Sequence, residues 1–229
     1  MQSEITNFFM YLALILAFIL VIVKMIISGY TFKTYRENRE HKLLIPIAIL
    51  FLMFGMSRIL LIYFDFYLTG FNDDLFQTYS LIWKIAIAFQ SVGYSFMIFV
   101  AEKEVFKEKT KFIISISNAV FLIAIYLVPD IVMFQTLITI SLSIVLLIIP
   151  ICYGYLARAT IGVARKKALS IFIGFFINMF GTIMLLELFV DAGVANFRID
   201  EYTFRYILYS ISMVIRMVGL SLIGYGYTA

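Results

Sequence analysis

Residues 7–42 read NFFMYLALILAFILVIVKMIISGYTFKTYRENREHK, and this stretch decides the kind of fold. Asn7 to Tyr30 carries one charge, Lys24, whereas Thr31 to Lys42 carries four basic residues, Lys33, Arg36, Arg39 and Lys42. An apolar run of that length crosses a hydrocarbon core of ~30 Å as a helix. A basic segment directly after it marks the side retained in the cytoplasm during insertion. The pattern recurs twice. Glu102–Lys111 holds Lys103, Lys107, Lys109 and Lys111, and Ala157–Lys167 holds Arg158, Arg165, Lys166 and Lys167. Twelve of the 18 Lys and Arg residues therefore fall in three short segments on one side of a membrane. The segments between them hold Arg198, with Arg205 at a helix entrance. Glu4, Asp73, Asp74, Asp130, Asp191, Asp200 and Glu201 fall on the other side.

Composition points the same way. The chain is 63% hydrophobic and 14% charged, against about 25% charged residues in soluble domains. The excess apolar surface requires a lipid bilayer as partner. The net charge of +4 is accounted for by topology, with anionic headgroups as further contacts, and no nucleic-acid partner is expected. Met1–Thr6 carries only Glu4, and the apolar run behind it is too long for a cleaved signal core. It reads as a first spanning helix.

Apolar runs place helices at about 7–30, 43–64, 77–101, 112–128, 131–156, 168–190 and 204–227. They are continuous rather than alternating, which excludes barrel strands. The expected fold is all-α: a polytopic integral membrane protein of the cell membrane, one seven-helix domain over residues 1–229, N-terminus outside and C-terminus cytoplasmic. Tyr63, Tyr67, Tyr79, Trp83, Tyr202 and Tyr206 mark one water boundary. Tyr30, Tyr35, Tyr153, Tyr155, Tyr225 and Tyr227 mark the other. Pro129 punctuates a tight turn between the fourth and fifth helices, and Pro150 should kink the fifth.

Ionisable residues inside spans are costly and usually face the bundle or a cavity. Arg58, Lys84, Glu187 and Arg216 qualify, while Lys24 is expected to snorkel to headgroups. Arg205, Tyr209, Ser212, Arg216 and Gly219 follow helical steps along one face of the last helix. One reading is an outward-open polar cavity lined by Arg58, Lys84, Tyr209, Ser212 and Arg216, suited to an anionic or carbonyl-bearing ligand. The other is a set of structural ion pairs, Arg58 with Asp65 and Lys84 with Glu187. Gly174, Asn178, Gly181 and Thr182, and Gly219, Gly224 and Gly226, mark close helix packing.

Enzyme chemistry is the least favoured. The only His is His41, in a basic loop, and the only Cys is Cys152. No His/Cys metal set, Ser–His arrangement or disulfide can be built from them.

The segment Phe99–Phe112, with Glu102-Lys103-Glu104 and Lys109-Thr110-Lys111, resembles uncharacterised archaeal seven-helix membrane proteins of sensor type. The topology of the whole chain is similar to that of microbial rhodopsins, G-protein-coupled receptors and the sensor regions of microbial histidine kinases. A retinal protein of that topology requires a Lys midway along the last helix. Here Met213-Val214-Ile215-Arg216-Met217-Val218-Gly219 holds Arg216, which cannot form a Schiff base, so covalent retinal and other cofactors are not expected. The resemblance implies a sensor or receptor binding a small ligand in the outer half of the bundle. With the sequence ending at Ala229, its effector is expected to be a separate cytoplasmic signalling partner. The alternatives are a transporter or channel for a small anion using Arg216, and an accessory subunit of a membrane complex.

Overall fold

The computed structural model describes residues 2–37, 39, 44–104, 111–185, 187–197 and 199–228. His41, Lys42, Lys107, Lys109 and Arg198 lie outside them, as do the side chains of Asp73, Glu187 and Asp191. The elements in chain order are α1 (Gln2–Glu37), α2 (Leu44–Ile62), a π-helical turn (Tyr63–Leu68), a 3-10 turn (Asp73–Leu75) and α3 (Ser80–Glu104). They continue with α4 (Ile113–Tyr126), α5 (Ile131–Ala159), α6 (Gly162–Ile183), α7 (Glu187–Phe197) and α8 (Glu201–Thr228). Among the described residues there is no strand.

Among the described residues, five helical stretches are long and apolar enough to cross a membrane: Glu4–Glu37, Leu44–Leu68, Ser80–Val100, Gly162–Ile183 and Glu201–Tyr227. Ile15, Ile22 and Ile26 on α1, Val120 and Ile123 on α4, and Val214 and Val218 on α8 are exposed. Water would penalise such faces and lipid does not. The chain is a multi-pass membrane protein whose apolar helices contact the bilayer. α4, at 14 residues, is only about 21 Å long at 1.5 Å per residue.

Several boundaries depart from the apolar pattern. α1 continues through the basic segment to Glu37 because nothing breaks it: the Thr34 hydroxyl donates to Tyr30 O at 3.0 Å, and Lys33 lies 4.0 Å from Glu37 one turn on. α6 begins at Gly162, drawing Arg165, Lys166 and Lys167 into its first turns. The expected helix 168–190 is the clearest correction. It stops at Ile183, and Glu187 opens the separate helix α7. Hydropathy does not register such a break, because residues on both sides of it are apolar.

The chain divides into two compact units, 24–152 and 1–23 with 153–227. In the first, α2 and α3 meet where Gly93 is small: a methyl there would lie 3.2 Å from Leu50 Cδ1 and 3.3 Å from Met53 Cβ. Ile87, Leu122, Ile125, Phe134 and Ile138 form a core in which Trp83 and Tyr126 meet the Phe134 ring edge-on at 5.8 and 5.1 Å. In the second unit, α6 and α8 run antiparallel in a register that repeats every seven residues. Gly181 lies against Ser212, Gly174 against Gly219, and the Lys167 turn against Gly226. Added methyls would sit 2.6 Å from Gly219 O at Gly174 and 2.8 Å from Lys167 O at Gly226. Backbone contact of this kind is how helices associate in lipid, where packing rather than water exclusion holds them. The close packing expected of Gly174, Gly181, Gly219 and Gly226 is what the structure contains. Thr182 instead faces out, with its hydroxyl on Asn178 O at 3.0 Å.

Candidate functional site

Five side chains were expected to line one cavity. Arg58 and Lys84 belong to the 24–152 unit, and Tyr209, Ser212 and Arg216 to the other. On α8, the polar face is used for packing. The Ser212 hydroxyl donates to Gly181 O at 2.6 Å. A methyl on Gly181 would lie 2.7 Å from Arg216 Cγ, so the arginine's stem lies over that glycine. Tyr209 is buried, and both it and Arg216 are engaged by neighbouring groups. Arg205 is bound to Glu201 one turn back, through Nε at 3.0 Å and a terminal nitrogen at 2.8 Å. Interhelical hydrogen bonds such as that from Ser212 to Gly181 average about 0.6 kcal/mol in membranes. Ser212→Ala is therefore expected to cost about that much in a reversible unfolding titration in mixed micelles.

Lys84 serves the turn between α4 and α5. Its ammonium donates to Val128 O at 2.8 Å and Pro129 O at 3.3 Å, and lies 4.9 Å from the Phe134 ring centroid. A cation just past the end of α4 complements that helix's negative end. The other side of the turn is closed by Gln77 Oε1, which accepts from Ile131 N at 3.2 Å, and Asp130 Oδ1, which accepts from Met133 N at 2.7 Å. Sequence reasoning offered Lys84 a cavity or a pairing with Glu187. The bonds it makes are to backbone carbonyls, which no side-chain pattern advertises.

The basic residue that sequence reasoning misplaced is Lys24. It was expected to reach headgroups, yet it is only 2% exposed. Its ammonium donates to Phe54 O at 3.2 Å and stands 5.6 Å from the Phe54 ring centroid. α1 and α2 approach closely here: a methyl on Gly55 would lie 2.7 Å from Met25 Cε. Arg58, 5% exposed, is one helical turn beyond Phe54 on α2. Helical side chains lean over the turn preceding their own Cα, and Lys24 bonds the Phe54 carbonyl of the turn that precedes Arg58. Around that turn lie donors and acceptors. Gln90 Nε2 donates to the buried Ser57 hydroxyl at 2.8 Å, and the Tyr94 ring meets Phe54 at 4.8 Å. Asp65 lies in the π-helical turn that follows α2, and both it and Arg58 are engaged. Glu102, the buried carboxylate among the described residues of this unit, is committed elsewhere.

Glu102 was expected in a loop. It lies in α3, is 0% exposed, and holds the start of α4. Oε1 accepts from Ile114 N at 3.1 Å; Oε2 accepts from Ser115 N at 2.7 Å and from the Ser115 hydroxyl. Lys111 and Phe112 precede α4 with φ of 47° and 59°, and Phe112 stacks on Phe99 at 5.3 Å. Among the described residues no group of three His, Cys, Asp or Glu could hold a metal ion. No protein-family model, curated protein or solved structure matches this chain.

Proposed function

We propose that the chain is a seven-helix protein of the cell membrane, of sensor or receptor type, that recognises a small anion at the Lys24–Arg58 layer. α4 and α5 join the five long apolar stretches as spans, the N-terminus faces outside and the C-terminus the cytoplasm. The basic segments support that orientation. Their exposed residues, among them Lys33, Arg36, Arg165 and Lys166, are the contact surface for a separate signalling partner.

The observation that carries this reading is the burial of two basic side chains, Lys24 on the Phe54 carbonyl and Arg58 one turn farther along α2. A subunit with only a structural role gains nothing from charges at this depth, since apolar packing would be as stable or more so. A small carboxylate or inorganic anion entering from the outer half finds two cations, the Ser57 hydroxyl and the Gln90 amide.

The test is thermal stabilisation of purified protein by acetate or nitrate, with gluconate at matched ionic strength as reference. A bound anion at a hundred times its Kd stabilises by about 2.7 kcal/mol. Lys24→Met should weaken the anion roughly 10- to 100-fold, the loss of one charge-assisted hydrogen bond. Lys33→Met, on an exposed face, should leave it unchanged. Equal stabilisation of the wild type and Lys24→Met would sink the reading.

A further inference from the structure

We propose that the basic layer is one station on a polar path across the membrane along the α1–α2 seam, and that the protein conducts small anions through it. The proposal rests on the anion-binding reading and adds transport to it. Lys24, Ser28 and Thr31 follow steps of four and three, so they share one face of α1. That face meets α2: Lys24 bonds Phe54 O, and the Ser28 hydroxyl donates to Ala48 O at 2.7 Å. All three are buried, with Thr31 at 0% exposure.

Three helical threonines, Thr34, Thr136 and Thr182, turn their hydroxyls to the carbonyl four residues back. The Thr31 hydroxyl is buried without a partner among the described residues. A buried hydroxyl that declines its own helix is a group held for something that passes or binds, because leaving it unsatisfied costs about 1–3 kcal/mol.

The path continues beyond Lys24 through Arg58 on α2 towards Asp65 in the π-helical turn that follows it. Thr31 to Lys24 covers about 10 Å along α1, and Phe54 to Asp65 about 16 Å along α2 and that turn. Together these approach the ~30 Å of a bilayer's hydrocarbon core. The polar seam thus runs from near the first basic segment to the far end of α2. Its centre holds Lys24 and Arg58, so cations are opposed and anions attracted. The tight contact of Gly55 with Met25 along this seam leaves room only for ions of one to a few atoms.

Proteoliposomes loaded with potassium chloride and diluted into potassium gluconate, with valinomycin to carry the compensating potassium, should release chloride as read by an ion-selective electrode. Lys24→Met should lower the rate at least tenfold. Thr31→Val, equal in size but without the hydroxyl, should lower it severalfold, and Thr31→Ser should restore it. Thr136→Val, on an exposed face of α5, should match the wild type. Anion stabilisation of the wild type without chloride release overturns transport and leaves the binding reading intact. Release that Lys24→Met and Thr31→Val both preserve overturns the seam as the path. Absence of both stabilisation and release overturns both proposals.

Discussion

Gly219→Leu is expected to be the most damaging single substitution in this protein. Even one methyl at Gly219 would lie 2.7 Å from both Gly174 O and Asn178 N. Those are backbone atoms of α6, and no side-chain rotation moves them aside. A leucine must drive the helices apart along a seam that also includes Gly174, Gly181 and Gly226. In lipid, separation does not cost exposed apolar area, but it abolishes the close van der Waals contact that holds the pair. Overpacking a well-filled interior costs about 1–3 kcal/mol, and against rigid backbone on both sides the upper part of that range applies. For a chain of this size 3 kcal/mol corresponds to a fall in Tm of roughly 6–12 °C. Differential scanning fluorimetry in mild detergent measures it. Gly29→Ala is the matched control: that glycine has open space around its missing Cβ, and alanine is the better helix former by about 1 kcal/mol. It should leave Tm unchanged or raise it. A Gly219→Leu protein as stable as wild type would show that the α6–α8 contact is not close in the membrane.

Glu102→Ala should destabilise by about 2–3 kcal/mol through the start of α4. The carboxylate of α3 accepts from Ile114 N at 3.1 Å and Ser115 N at 2.7 Å, and also from the Ser115 hydroxyl. Without it, two amides at the positive end of α4 lose their acceptor in a buried setting, and the favourable charge–dipole interaction disappears. Lys111 and Phe112, both left-handed, then lead into a helix start without its carboxylate cap. Phe112 keeps its stack on Phe99. Glu102→Gln keeps an acceptor but turns an amide donor towards other donors, so it should fall between wild type and alanine. Hydrogen exchange gives the discriminating readout. Protection should fall in residues 113–118 before it falls in α2 or α3. Uniform loss across the unit would mean that Glu102 stabilises α3 rather than capping α4.

The helical, membrane-embedded character was legible because it depends on sums over long windows. One Lys in the first apolar run, twelve basic residues in three segments and 63% hydrophobic composition admit few other solids. That Gly174, Gly181, Gly219 and Gly226 mark close packing was legible too, though not that α6 and α8 pack on each other. Lys24 was misplaced because its position along α1 is readable but its direction is not. A lysine six residues before Tyr30 snorkels if it faces lipid and is buried if it faces Phe54, and hydropathy is the same in both cases. Lys84 and Glu102 were misassigned for a related reason. Their partners are backbone groups 44 and 12 or more residues away, and every sequence carries such groups everywhere.

Sequence alone therefore determined the solvent. Burial in lipid is a property of composition and run length, additive over residues and independent of which helix meets which. The tertiary structure decided which charges work together. It broke the expected sixth helix at Ile183, assigned Lys84 and Glu102 to the two ends of α4, and brought Lys24 to the Phe54–Arg58 turn. Those choices depend on the direction of a side chain and on the nearest carbonyl or amide in space. Such distances exist only once helices have packed, because a hydrogen bond is made over about 3 Å between groups that the chain itself holds far apart.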